Sequence, residues 1–206
     1  MVQILKDSVR DNITLAAEKL FAENGYKRTT MDKIAAEANV AVGNIYKYFS
    51  NKEALLNSIV TDEFLETFKG LTESRVDALN DPAKADAVRS MEAEEAGNLL
   101  DFFIKNRLKV IIVLARAEGS KHQTFRNDYI QSMIASSNLQ MPTMRPKLTN
   151  SKIFQFTFKN RIEDTVRGIV SILETFEEEQ EIRDAFATSW AYHQAGINSL
   201  INWCSR

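Results

Sequence analysis

The sequence predicts an all-α protein in two parts, a three-helix unit over residues 1–52 and a larger helical domain over 53–206. Three observations predict it. Apolar residues recur at intervals of three and four along most of the 206 residues, the period of helices with one buried face. Gly, Asn, Ser and Pro punctuate those runs where helices begin and end. The two strand-like stretches, Val110 to Ala115 and Phe154 to Phe158, each admit a helical reading that leaves no strand without a partner.

The first helix occupies residues 1–24, with Val9, Ile13, Ala16, Ala17, Leu20 and Phe21 as its apolar stripe and Gly25 as a left-handed cap. Thr29-Thr30 offers a hydroxyl cap, and Met31, Ile34, Ala35 and Ala38 predict a two-turn helix that Asn39 ends in a left-handed conformation. A second short helix follows over about 41–48, with Ile45 and Phe49 turned inward and Asn44, Lys47 and Tyr48 on the other face. Two turns of helix are marginal alone in water, so neighbours must hold this one, leaving its outward face free for recognition.

This spacing is that of a helix-turn-helix, whose second helix lies in the DNA major groove. The residue types suit the task. Gly43 lets backbone approach closely, Asn44 both donates and accepts at a base edge, and Tyr46 and Lys47 suit phosphates. Thr30 belongs to the same set, while Tyr48 reads equally as partial core or phosphate contact. Ser50-Asn51-Lys52-Glu53 has the pattern of a capping box for the next helix, so that its amides and Lys52 together suit a phosphate.

From Ile13 to Leu56, about a fifth of the chain, the sequence resembles the tetracycline-repressor (TetR) family of transcriptional regulators. The resemblance rests on A-x-x-L-F-A-E-x-G-Y (Ala17 to Tyr26), T-T-x-x-x-I-A (Thr29 to Ala35) and V-x-x-G-x-I-Y-x-Y-F-x-x-K-E-x-L (Val40 to Leu55). It implies a homodimeric DNA-binding protein, usually a repressor, whose larger domain binds a small molecule and releases DNA. Two departures stand out. The family commonly has Ser where this chain has Ala41 and Lys where it has Val42, so phosphate contact at the start of the second helix is expected to be weaker, and Val42 suits a thymine methyl.

Composition narrows the alternatives. The net charge is −2 and 44% of residues are apolar, enough for a sizeable core. Through Lys52 there are eight Lys and Arg against six acids, and beyond it eighteen against twenty-two, a mild asymmetry of the sign expected for DNA binding. A single cysteine, Cys204, fits a reducing compartment. Without a membrane-length apolar run or a signal-peptide core, a cytoplasmic protein is expected. The only imidazoles, His122 and His193, have no ligand-spaced partner, and no phosphate loop or nucleophile motif is present. No metal, cofactor or enzymatic activity is expected.

From Lys52 a long amphipathic helix is expected to carry Leu56, Val60, Phe64, Phe68 and Leu71 on one face, as a lever on the reading unit. Asn80-Asp81-Pro82 predicts the next start, and residues 83–104 read as helix, apolar at Leu99, Leu100, Phe102 and Phe103. Val110 to Ala115 is assigned as a short buried helix, broken at Gly119-Ser120, and another helix runs from about Lys121 to Ser137. Asn138 to Asn150 reads as a loop, either a plain surface connection or a pliable lid of Met141, Pro142 and Met144.

Phe154, Phe158, Ile162, Val166, Ile169, Val170, Leu173 and Phe176 fall within one arc of a further helix, with Phe156 just outside. The last helix follows Glu177-Glu178-Glu179 and aligns Ile182, Phe186, Trp190, His193, Ile197, Leu200 and Ile201, with Gly196 allowing close approach. Excess apolar surface on these two helices predicts a four-helix interface between subunits, through Ile162, Val166, Ile169, Leu173, Phe186, Trp190, His193, Ile197 and Leu200, as the resemblance also implies. His193 reads as a hydrogen-bonded core or interface residue. Phe64, Phe68, Phe102, Phe103, Phe125, Tyr129, Phe154 and Phe158 either fill core or line an apolar cavity, with Arg107 or Arg161 as polar anchor.

Two functions are consistent with these features. One is a dimeric, ligand-responsive repressor on an inverted-repeat operator in double-stranded DNA. The other is an interaction protein whose larger domain binds a partner protein.

Overall fold

The computed structural model describes residues 2–80, 93–144 and 151–204, with the side chains of residues 2–7, 80, 138–144, 197–198, 201–202 and 204 left undescribed. Among the described residues all regular structure is helical, as the periodicity predicts. The chain divides into two compact units: Met1–Leu65 with Asn106–Arg126, and Glu66–Lys105 with Asn127–Arg206.

The first unit is built on α1 (Val2–Asn24), which packs against α2 (Met31–Glu37), α4 (Lys52–Ile59), α7 (Arg107–Ile111) and a π-helical turn, Ile112–Arg116. Its buried stripe includes Ile13, Ala16, Ala17 and Phe21, as the i, i+3, i+4 spacing requires. Gly25 ends α1 at φ +81° and returns its N–H to Phe21 O at 3.0 Å. Thr30 caps α2 by accepting from Lys33 N. Asn39 ends the unit's second helix at φ +53°, with Asn39 N–H on Ala36 O and Val40 N–H on Ala35 O, the paired bonds of a Schellman turn.

Three expectations about boundaries are corrected in this unit. The second short helix, α3 (Val42–Ile45), is shorter than 41–48: Lys47 N–H and Tyr48 N–H bond three residues back, tightening the chain into turns before the extended cap residue Asn51. The long helix from Lys52 is two helices, broken at Val60, because Thr61 caps α5 (Asp62–Asn80) through Phe64 N at 3.1 Å and Asp62 and Glu63 supply an acidic first turn. Ser50 to Glu53 is not a capping box. Asn51 is the cap, accepting from Ala54 N at 2.8 Å, and Glu53 is engaged elsewhere.

Val110 to Leu114 is buried and helical as assigned, but it widens from α7 into the π turn at Ile112. Gly119, at φ +83°, breaks it as expected.

The second unit contains α6 (Glu94–Lys105), most of α8 (Phe125–Met144), α9 (Lys152–Thr175) and α10 (Glu179–Cys204). α8 begins at Phe125 rather than Lys121, because Lys121 to Thr124 form turns after Gly119. It also runs through 138–144, where a loop was expected; Pro142, within its last turn, supplies no N–H for a helical bond. The expected break at Asp81-Pro82, residues 145–150 of the loop, and the lid side chains Met141, Pro142 and Met144 lie outside the described residues.

Ser151 caps α9 through Phe154 N, and Phe154, Phe158, Ile162, Val166, Ile169, Val170 and Leu173 are its buried residues while Phe156 is 70% exposed. α10 packs on α9 and α6, with Ile182 buried and Arg183 bonded to Asp101 on α6.

Candidate nucleic-acid interface

Helix α3 is held from below. Ile45 is fully buried and Phe49 is 4% exposed, so their burial anchors a segment whose own backbone bonds are too few to sustain it. Arg10 lies over the Phe49 ring, 5.7 Å from its centroid. Above this anchor Ala41, Val42, Gly43, Tyr46 and Lys47 are exposed, Asn44 and Tyr48 are half-buried, and Thr30 is exposed at the start of α2. Ala41 occupies the cap position with no side-chain bond, as its missing hydroxyl requires. Val42, a third exposed, presents a methyl surface.

Two details give this face its chemistry. Lys47 Nζ donates to Asn44 Oδ1 at 2.9 Å, so the amide is oriented with its NH2 group free of that bond. A methyl group added at Gly43 meets no protein atom within 4 Å, so nothing inside the protein requires glycine there.

Lys52 is placed differently from the other candidates. It is half-buried, with Nζ donating to Tyr26 O and Thr29 O, both at 2.7 Å, and lying 4.2 Å from the Tyr26 ring centroid. Burial lowers its pKa, partly countered by Glu53. Glu53 completes a network that local sequence rules did not disclose: Oε2 accepts from Tyr26 OH at 2.6 Å and Oε1 from Lys121 N at 3.0 Å. Burial pushes the Glu53 carboxyl up, but the Tyr26 hydroxyl, the Lys121 amide and the charges of His122 and Lys121 outweigh it and leave the pKa lowered. Tyr26 titrates well above the ordinary phenol, through burial and its bond to Glu53. The same stretch makes further bonds to the turn after α1, Tyr26 N to Arg116 O at 2.8 Å and Lys27 Nζ to Glu118 Oε1 at 2.7 Å. Tyr26 and Glu53 both stand in the motifs that carry the resemblance, but nothing local announces their bond to each other or the partner at Lys121.

The candidate pocket residues fall in both units. Phe64, Arg107 and Phe125 belong to the first unit, where Phe64 and Phe125 are buried and Lys109 lies 5.9 Å from the Phe64 centroid. In the second unit Phe68 packs against Phe102, Phe103 and Tyr129 at centroid distances of 5.6, 5.5 and 4.9 Å, and Phe154 stacks on Phe158. Tyr129 OH is 3.0 Å from Thr72 Oγ1 and borders a cavity of about 10 Å³, room for one water. Arg161 is exposed and lines a separate groove.

That groove runs between α9 and α10, about 510 Å³ in volume, and includes Gly168, Phe186, Trp190, His193, Gly196 and Leu200. Ile162, Val166, Ile169 and Leu173 were expected on a subunit interface; α9 turns that stripe inward and they are at most 8% exposed, with Ile169 bordering the groove. The Ile197 side chain lies outside the described residues. His193 stacks on Trp190 and sits 3.4 Å from Thr165 Oγ1. Burial, then Arg161, lowers its pKa against the opposing Asp164.

Among the described residues no group of three or more His, Cys, Asp or Glu suits a metal ion, and no helix is long and apolar enough to cross a membrane.

Residues 13–59 match the family model for bacterial regulatory proteins of the tetR family, the region that carries this exposed face and its anchor. Over 124 residues the chain is 32% identical to YuxN, an uncharacterized HTH-type transcriptional regulator of Bacillus subtilis, an alignment covering 60% of this chain and 40% of that one. It is 54% identical over 46 residues to another from the same organism, YhgD, covering 22% and 24%. It is 28% identical over 140 residues to the HTH-type transcriptional repressor NicS of Pseudomonas putida, covering 68% and 61%. The chain spans less than two thirds of the length of each of these relatives. Over residues 13–59 the chain is thus similar to the TetR family of bacterial transcriptional regulators.

Proposed function

We propose that the protein is a homodimeric, cytoplasmic repressor that reads an inverted-repeat operator through α3 and its flanks and is released by a small apolar or amphipathic ligand in the larger helical domain. One observation carries the DNA-reading part. Val42, Gly43, Tyr46 and Lys47 stand exposed together on a segment whose inner face is locked by Ile45 and Phe49. Such a segment presents base-reading and phosphate-binding groups from a rigid base. The contact set is Thr30, Val42, Gly43, Asn44, Tyr46, Lys47 and Tyr48.

The dimer is supported by the open groove beside Trp190 and His193. There a methyl added at Gly168 or Gly196 meets nothing within 4 Å, while Tyr192 is 82% exposed. Small residues beside exposed aromatics let helices of a second copy approach closely. The ligand site is assigned to the Phe68, Phe102, Phe103 and Tyr129 cluster, which a ligand enters by parting the rings. Ligand and DNA then bias one equilibrium from opposite sides.

Selection of bound duplexes from a random pool tests this reading. Enrichment of an inverted repeat is the expected result, and binding that merely fades with salt, without sequence enrichment, refutes specific reading.

A further inference from the structure

We propose that Lys52 and Glu53, taken together, are positioning residues that set the geometry of the reading segment through Tyr26, and that Lys52 is not a phosphate ligand. The inference rests on the DNA-reading assignment above. The reading segment has two ends to secure: one is the turn from Tyr26 to Thr30 that launches α2, and the other is the first turn of α4. Lys52 and Glu53 open α4, and both reach back to the launching turn. Lys52 takes the carbonyls of Tyr26 and Thr29 and covers the Tyr26 ring, while Glu53 takes the Tyr26 hydroxyl. Two successive side chains therefore grip one residue, and the grip spans the whole length of α2, the turn and α3.

The geometry also argues against a phosphate role for Lys52. An ammonium has three donors, and two are committed at 2.7 Å to the Tyr26 and Thr29 carbonyls of the turn that joins α1 to α2. Reaching outward costs both bonds and the ring contact. Lys47, by contrast, is exposed with its ammonium on the outer face.

The grip has a third anchor. Glu53 accepts from Lys121 N and Tyr26 N donates to Arg116 O, so Arg116 to Lys121 is tied to both halves of the clasp. The spacing of the segment's ends is thereby referred to a stretch remote in sequence but within the same compact unit.

Three variants, Lys52→Met, Tyr26→Phe and Glu53→Gln, test this in the full-length protein, with duplex binding measured against salt for a selected and a scrambled sequence. Lys52→Met is expected to weaken the selected duplex about tenfold, the worth of one charge-assisted hydrogen bond, with the salt slope unchanged. Affinity for the scrambled duplex stays within about twofold, because non-specific phosphate attraction tolerates misplacement. A general loss of folded protein would lower both together. Tyr26→Phe removes one of the two bonds that Glu53→Gln disturbs, so the double variant is expected to lose no more than Glu53→Gln alone. A carbon-13 titration of the Glu53 carboxyl without DNA is expected to move upward in Tyr26→Phe.

A salt slope reduced by about 0.9 in Lys52→Met overturns the proposal, since that is the signature of one lost phosphate contact. So does a Tyr26→Phe variant in which neither the Glu53 titration nor the selected affinity moves. If the unaltered protein selects no duplex, the DNA-reading assignment fails and the positioning role with it; the DNA-free titration reports separately whether the Tyr26–Glu53 grip exists.

Discussion

Gly43→Ala separates what α3 needs for folding from what it needs for DNA. The added methyl meets no protein atom within 4 Å, and Gly43 lies in the ordinary helical range of backbone angles. Folding therefore has nothing to lose from alanine. Helix propensity favours Ala over Gly by about 1 kcal/mol in a helix interior, and roughly half of that is expected so near a helix start. For a chain of this size the gain corresponds to a melting temperature higher by about 1–2 °C.

On DNA the same methyl stands between the backbone and the phosphate or base edge it approaches. Losing one hydrogen bond to a charged phosphate costs about 1.5–3 kcal/mol, a tenfold or greater loss of affinity. The two effects have opposite signs, so a weakened complex cannot be blamed on unfolding. Thermal melting and fluorescence anisotropy on the selected duplex measure them independently. Unchanged affinity in Gly43→Ala would remove this backbone from the DNA surface and refute the reasoning.

Other expectations follow from the same geometry. Lys47→Ala is expected to reduce the slope of log affinity against log salt by about 0.9, so its deficit shrinks roughly 3.5-fold between 50 and 200 mM salt; parallel lines would exclude a phosphate contact. Phe68→Ala, at a fully buried site among three aromatic neighbours, is expected to cost about 3–5 kcal/mol in denaturant melts, and a cost below about 1 kcal/mol would mean that the cluster is loosely packed. Gly196→Arg on the open side of α10 is expected to convert a dimer to a single-chain mass in light scattering, and an unaffected dimer would place the interface elsewhere.

Acid sensitivity has two separable parts. Burial, followed by Lys121, lowers the His122 pKa from 6.5 against the opposing Glu53 and Asp62, and its Nε2 is buried without a hydrogen-bond partner among the described residues. The unfolded chain takes up that proton first, so the stability His122 contributes is full above about pH 6.5 and falls as pH drops toward its lowered native value. His193 adds the same trend. Glu53 acts lower: its stabilisation is present above about pH 4.5 and is lost as pH falls through its lowered native value. His122→Gln is expected to flatten the first part in pH-dependent urea melts and leave the second, and an unaltered profile would show that His122 titrates alike in the folded and unfolded chain.

Local rules reached the elements whose causes are local. Thr30, Gly25 and Asn39 disclosed their caps because each conformation is decided within a few residues. The α9 stripe was legible down to the exposure of Phe156, since a 24-residue helix averages over enough turns to make its face unambiguous. The break at Val60 was obscured because Val60 and Phe64 keep the apolar period going across it, although Thr61 followed by two acids marked a new start. Ser50 to Glu53 failed as a capping box for a different reason. A phenol hydroxyl and an amide distant in sequence compete for the Glu53 carboxylate and win, and no window of neighbouring residues contains them. The aromatic residues that read as core filling or cavity lining fall in both units, because sequence order says little about which buried faces meet.

The first unit is discontinuous, Met1–Leu65 completed by Asn106–Arg126, and this bears on how the protein is made and rearranged. During synthesis the leading 65 residues emerge without the helical turn that packs on α1, and Tyr26 waits some ninety residues for its carbonyl partner at Arg116. A cut after α4 removes the helical turns that pack on α1 and the bonds of Tyr26 and Glu53 to residues 116 and 121. A chimaera that carries residues 106–126 along with the head keeps its seams intact, whereas one that exchanges everything beyond α4 must supply a substitute surface for α1. Recombination between relatives is constrained in the same way, since a crossover within the helix-turn-helix match alone separates Tyr26 and Glu53 from the segment that completes their bonds.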